Sequence, residues 1–527
     1  MTESSQRTLW QFGFFNLVLI ILYGIWFLNE NTPIPIVDVS LPNSGKFECI
    51  SYAPYYGPGQ TPFKLGTIIS RTQIDNDLRF LSKYSSCVRS YSVGQGMDYV
   101  PEAASKLGLK VYLGAWVGWK NSENEAEINL AIDRANKYPD TVKALIIGNE
   151  VLLRGEQTEA TMQYYFQLAR NKTKIPITYA DVWEYWIKHK NMEKSVDFVT
   201  VHILPYWENN PQPIEHAVDH ASNVMNLLKT IFIKPILIGE TGWPSVGRQR
   251  DASKPSLINQ ATYIREFLSA AQSKGWNYNL IEAFDQPWKR ELEGTVGGYW
   301  GIFSSSLTPK FSLTGTVAER SDLFNTVIYG LAGLVIILGI SLKLGERRPS
   351  ALFLFATIGS LAGVNSMLQL DYLYSSSSNP EDFFFLGSVM IAGWAATLSL
   401  IWIICGKNHD FHSKVINYAR FYLLITSISA GFLLLIDGRY RDFPIALYLL
   451  PGIVLSLSKY LDVLRVQFGR RLGSILCSLS VIFASLCFIL EHKNVYTLLW
   501  IGITVLIAYS SWPNQLNNNS ELNNKTS

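Results

Sequence analysis

Apolar positions along this chain follow two patterns that suit two different solvents. From Phe47 to about Leu313, short β-branched or aromatic runs alternate with stretches whose apolar residues recur at helical spacing. From Phe324 to Trp512 the chain is a series of long apolar stretches separated by short polar breaks. The first pattern predicts βα units around a parallel sheet, and the second an all-α polytopic transmembrane domain. A further apolar run, Phe12 to Leu28, stands near the N-terminus, between Arg7 and an acidic, proline-bearing stretch. The bulky Ile25, Trp26 and Phe27 lack the small-residue pattern of a cleaved signal peptide, so this run reads as an uncleaved anchor.

The predicted organisation is a cytoplasmic N-terminus (1–9), a transmembrane helix (10–28), a linker (29–45), a barrel domain (46–315), a seven-helix transmembrane domain (324–512) and a disordered, asparagine-rich cytoplasmic tail (513–527). The seven later spans fall near 324–343, 351–370, 383–405, 417–436, 443–459, 472–490 and 495–512. Lys343, Arg347 and Arg348 share one connection; Lys407 and Lys414 lie in another, and Lys459, Arg465, Arg470 and Arg471 in a third. The connections between these are less basic, which puts the basic ones in the cytoplasm and the barrel outside it. The expected location is thus a membrane, with a lipid bilayer as one partner. Ionisable residues are nearly absent from the spans, which speaks against an ion-coupled transporter. Arg420 is expected near a helix end, its stem reaching the interface.

Within the first region eight strands are predicted: 47–52, 86–91, 110–116, 144–150, 176–182, 198–204, 235–240 and 280–284. Helices are predicted at 72–84, 123–137, 157–171, 212–230 and 256–274, the last started by Ser253 and Pro255. Eight βα units fit a closed (β/α)8 TIM barrel, in which chemistry collects at the strand C-termini. An open doubly wound sheet is the alternative, but SYAPYYGPGQ after the first strand lacks its phosphate-cradling glycine pattern.

Charge and cysteine content narrow the picture further. A net charge of +3 with scattered basic residues leaves no footprint for nucleic acid. Cys405, Cys477 and Cys487 fall in apolar spans, where a thiol acts as a small apolar group. Cys49 and Cys87 lie early in strands of the exported domain and could pair there, although neighbouring parallel strands make awkward disulfide geometry. No cofactor is called for and no metal site is expected: His216 and His220 stand four apart on a helix, but no third ligand is evident.

Two carboxylates stand out. Glu150 ends the apolar strand ALIIGNE and Glu240 ends PILIGE, and a carboxylate there is costly without partners or a task. On a closed eight-strand barrel the two can face each other across the mouth, about 5–5.5 Å apart, as a retaining glycosidase requires. Asn149 is placed to bond a sugar 2-hydroxyl, and Arg89 to keep Glu240 ionised, so Glu240 is the expected nucleophile and Glu150 the acid/base. Further substrate-binding candidates are Tyr52, Tyr91, Trp116, Trp183, His202, Tyr206, Trp243, Glu282, Asp285, Trp288 and Lys289, most at strand ends; the aromatic ones offer flat faces to sugar rings.

The segments IIGNEV (146–151), LIGETGWPS (237–245), EAFDQPWK (282–289), GYWGIF (298–303) and TPKFSL (308–313) resemble glycoside hydrolase family 17 of clan A, over about half the chain. The resemblance implies action on β-1,3-glucans, matches Glu150 to the family's acid/base and Glu240 to its nucleophile, and places Lys289 near the active site. Plant members carry N-E-N-Q-K where this chain has Asp285-Gln286-Pro287-Trp288-Lys289, so the sequence looks more like the bacterial and fungal branch. With membrane spans attached, it is similar to bacterial inner-membrane proteins proposed to remodel periplasmic glucans by transglycosylation. A glucan receptor without catalysis, or a membrane export or assembly factor, are the competing expectations. Protein partners are not readable.

Overall fold

A computed structural model describes residues 3–463 and 469–513. The chain forms two compact units, one of Pro33–Glu319 and one of Met1–Thr32 with Arg320–Ser527. Arg465 and the tail from 514 lie outside the described residues.

In the first unit eight parallel strands close into a barrel in sequence order. They are β1 (Ile50–Ser51), β2 (Cys87–Arg89), β3 (Lys110–Ala115), β4 (Val142–Asn149), β5 (Ile177–Val182), β6 (Val199–His202), β7 (Ile236–Thr241) and β8 (Asn277–Leu280). The apolar runs are buried on both faces, as a sheet wrapped in helices requires; β4, for instance, is buried from Ala144 to Gly148. Helices cover the outside, including Arg71–Leu81, Asn121–Lys137, Glu159–Arg170, Ile214–Ile231 and Leu257–Lys274.

Two sequence expectations shift here. The last of those helices is capped by Ser256, whose side chain accepts from Asn259 N, rather than begun at Ser253. β8 ends at Leu280, where the apolar run 280–284 was expected to be the strand. Its inward residue is polar: Asn279 donates to Ser51 Oγ and Gly239 O, both at 2.8 Å, so the strand carries no apolar alternation. Cys49 and Cys87 do form a disulfide, their Cα atoms 4.4 Å apart at one level of the β1/β2 register.

The second unit holds the apolar helices. Among the described residues six are long and apolar enough to cross a membrane: Ser5–Glu30, Leu323–Lys343, Pro349–Ser376, Pro380–Ile404, His409–Ile436 and Arg471–Leu490. Ile445–Tyr460 and Val495–Ser511 are shorter, 16 and 17 residues, or roughly 25 Å of helix against a hydrocarbon core of about 30 Å. Eight apolar helices form among the described residues, then, and six of them meet the length requirement for a span. Leu323–Lys343 packs closely on Pro349–Ser376 through glycine: a Cβ at Gly363 would fall 2.0 Å from Tyr329 O. Arg420 departs from expectation. Its helix begins at His409, so it lies inside the helix and is buried rather than reaching an interface from the end.

Candidate active site

The C-terminal ends of the strands open into a cavity of about 780 Å3. Glu150 follows β4, and Glu240 stands within β7. Together with His202 at the end of β6, they bring one side-chain ligand atom each to within 4.8 Å of one another. Three such donors have the composition of a metal site, but Arg89 Nη1, 3.2 Å from Glu240 Oε1, already supplies a cation there.

The barrel holds both acids firmly. Glu150 takes a left-handed backbone conformation, φ 53°, which costs a non-glycine residue about 1–3 kcal/mol and persists only where its neighbours impose it. They do: Glu150 N donates to Ala180 O at 2.8 Å, Leu152 N to Tyr179 Oη at 2.9 Å, and Tyr179 in turn donates to Asp181. Burial pushes the Glu150 carboxyl up, but its hydrogen bond with His202 and the charges of His202, Arg154 and Arg89 outweigh this and leave it below the ordinary carboxylate range. Glu240 accepts from Tyr91 Oη at 2.8 Å and from Arg89. Arg89 also donates to Gly239 O and Asn149 Oδ1, both at 2.5 Å, fixing the amide beside Glu150. Only glycine suits position 239, because a Cβ would fall 2.4 Å from Thr200 Cγ2 and 3.4 Å from Arg89 Nη1.

A second pair lies deeper. Glu282 accepts from Lys289 Nζ at 2.8 Å, and burial, against the pull of that lysine, pushes its carboxyl up to about 7. Asp285 lies outside the cavity lining; it pairs with Lys310 Nζ at 2.6 Å and accepts from Gly301 N, bracing the segment after the strand.

Tyr52, Tyr91, Trp116, Asn149, Glu282, Trp288 and Lys289 line the cavity with the two acids. Arg89 and His202 sit behind it. Trp183, Tyr206 and Trp243 were expected to meet sugar and do not reach the cavity. Tyr206 and Trp243 are core: Tyr206 Oη donates to Arg248 O and Trp243 Nε1 to Lys254 O. Trp183 is half-buried and donates to Glu208, which also bonds His220 at 2.7 Å. Sequence reasoning missed Phe63 and Trp119, exposed aromatics on the rim, and Arg154, whose guanidinium lies 4.6 Å from the centre of the Trp116 ring. It also missed Glu127, which orders two loops by accepting from Ser92 Oγ, Val93 N and Trp116 N. Gln286 donates to Ala53 O and accepts from Trp288 Nε1, which holds Trp288 in the wall; an acid there could not donate to Ala53.

A closed barrel with two carboxylates facing across its mouth is the architecture of a glycosidase. Residues 49–301 match the family described as "BtgE/BtgC glycoside hydrolase domain", and the chain carries a glycoside hydrolase domain. A glucan 1,3-beta-glucosidase of Candida albicans is 26% identical over 273 residues, 47% of this chain and 88% of that protein. A protein of the same name from Arthroderma benhamiae is 26% identical over 298 residues, 52% and 96% of the two chains. A structure of an active-site mutant of Rhizomucor miehei beta-1,3-glucanosyltransferase with laminaritriose aligns with 53% of this chain and 100% of its own, at 23% identity and a TM-score of 0.46.

Proposed function

We propose that this enzyme cleaves β-1,3-glucans with retention of configuration and passes the glycosyl unit to water or to a second glucan. One observation carries the reading: the side-chain oxygens of Glu150 and Glu240 come within 4.8 Å, too close for the intervening water that an inverting enzyme accommodates across about 6.5–9.5 Å. Glu240 attacks the anomeric carbon as Glu150 protonates the departing oxygen; Glu150 then takes a proton from the acceptor hydroxyl as that oxygen displaces Glu240. Asn149, held by Arg89, offers its amide N–H to the sugar 2-hydroxyl. Trp116, Trp288 and the rim aromatics supply platforms for successive rings. The relatives named above support β-1,3-glucan as the substrate.

The enzyme is further read as lying in a plasma membrane with its barrel outside the cytoplasm. The Cys49–Cys87 disulfide suits an oxidising compartment, and eight crossings, the two shorter helices included, put the basic connections and both termini in the cytoplasm. A bacterial inner membrane with periplasmic glucan as substrate is the finer proposal, and it rests on the attached apolar helices. The test is to incubate the detergent-solubilised full chain with short β-1,3-glucan oligomers and resolve the products by size. Longer chains mean transfer and only shorter ones mean hydrolysis; no change in the oligomers removes the substrate assignment.

A further inference from the structure

The reaction just described uses two acids, yet a third titratable group touches both. The His202 side chain is wholly buried and lies outside the cavity lining; its Nδ1 is 2.8 Å from Glu150 Oε1, and its Nε2 faces Glu240 Oε1 at 3.6 Å with no hydrogen-bond partner in reach. Gly239 leaves room for the ring, since a Cβ there would lie 3.3 Å from His202 Cδ2. A buried imidazole that serves only as filler has no need to address two carboxylates at once.

We propose that the catalytic proton belongs to the Glu150–His202 pair, with His202 acting as a positioning residue that stores the proton on Nδ1 and keeps its Nε2–H directed at Glu240. This rests on the glycosidase reading of the site. With Nε2 protonated throughout, one further proton is shared across the 2.8 Å contact, on Nδ1 or on the Glu150 carboxyl. As Glu240 bonds to the anomeric carbon, the electron pair of the breaking C–O bond goes to the leaving oxygen, which takes the shared proton through Glu150. One negative charge has then moved from Glu240, now an ester, to Glu150, now a carboxylate beside a neutral ring. In the second half the acceptor hydroxyl gives its proton to Glu150 and thus back to the pair, while the ester electrons return to Glu240.

The surroundings fit this division of labour. Arg89 from β2 and Arg154 beyond Glu150 draw the proton off that carboxyl, while Glu240 from β7 faces the ring at Nε2 and Asp181 from β5 lies near enough to interact with it electrostatically. A general acid whose carboxyl lies below the ordinary range would be spent at neutral pH on its own; paired with an imidazole it is not.

The test compares the full chain with His202→Gln and His202→Phe on two aryl β-glucosides: an alkylphenyl one that needs a proton to leave, and a dinitrophenyl one that does not. On the first, the alkaline limb of kcat/KM should run near or above pH ~6.5 in the parent and at least about one unit lower in His202→Gln, which is about tenfold in rate at neutral pH. On the second, the limb should stay where it is. A parent limb in the carboxylate range of about 4–5 overturns the proposal without any variant. So does an equal loss on both substrates at every pH, the mark of a merely structural histidine. If β-1,3-glucan is refused but the aryl glucosides are cleaved, only the linkage assignment fails and the pH comparison still decides. If the parent cleaves no glycoside at all, the glycosidase reading fails and this proposal falls with it.

Discussion

The two units bury polar groups in opposite ways. At the mouth of the barrel Arg89, His202, Glu240, Glu282 and Asp285 are all buried, and each faces an oppositely charged or titratable partner. Inside the helical unit the buried polar side chains among the described residues are mostly neutral, such as Asn365, Gln369, Thr397, Ser427 and Ser458, with Arg420 and Glu346 as exceptions. Several of these return hydrogen bonds to backbone carbonyls, as Asn365 does to Ala446 O and Thr397 to Gly393 O. Buried charge is costly, so it gathers where charge has to move during a reaction; neutral groups suffice where helices need only pack.

The contrast is sharpest at Glu240. Glu240→Ala should lower turnover by about 10⁴-fold or more, and added azide should then yield a glycosyl azide of the opposite anomeric configuration. Product analysis checks both, and normal turnover in this variant would break the comparison outright. Glu150→Gln should cost about 10²–10⁴ on glucan and far less on a dinitrophenyl glucoside, read from initial rates on the two substrates.

Burial of charge also makes the barrel sensitive to pH. Burial raises Glu282 to about 7, and Asp181 and Asp77 to about 6, each above the ordinary carboxylate range. Between about 4.5 and 7 the folded chain therefore binds more protons than the unfolded chain, and stability falls as pH rises through that window. Peptide-resolved hydrogen exchange should show barrel protection decreasing from pH 5 to 7 after correction for intrinsic rates, with a shallower slope in Glu282→Gln and little slope in the helical unit. The smallest effect is expected from Asn365→Ala, which removes the bond to Ala446 O. It should loosen the helical unit by about 1 kcal/mol and leave turnover unchanged, as a melting curve and a rate assay together would show.

Much of the fold was legible because its pattern is local. Val142–Asn149 and Ile236–Thr241 are apolar runs of strand length that each run into a carboxylate, and that combination stands out in a bare sequence. β8 was misplaced because Asn279, whose amide N–H groups donate to Ser51 Oγ and Gly239 O on the two flanking strands, interrupts its apolar character. Tyr206 and Trp243 were misjudged for a related reason: an aromatic ring that packs in a core and one that meets a sugar are the same letter, and only the neighbours tell them apart. Phe63 and Trp119 sit on connections with no periodicity to mark them, and Arg154 gains meaning only from the Trp116 ring beneath it. Gln286 looked like a departure from a plant pattern, but it is the donor that Ala53 O requires.

By itself the sequence determined the alternation of strands and helices, the apolar helices of the second unit and the two acids that end apolar strands. Hydrophobic periodicity and the cost of placing charge at the end of a buried run act within a few residues of chain. Only the tertiary structure decided which side chains share the cavity, that Cys49 meets Cys87, and that His202 addresses Glu150 and Glu240 together. Those relations come from closure of the barrel, which sets distances between strands that are far apart along the chain and that no local pattern can carry.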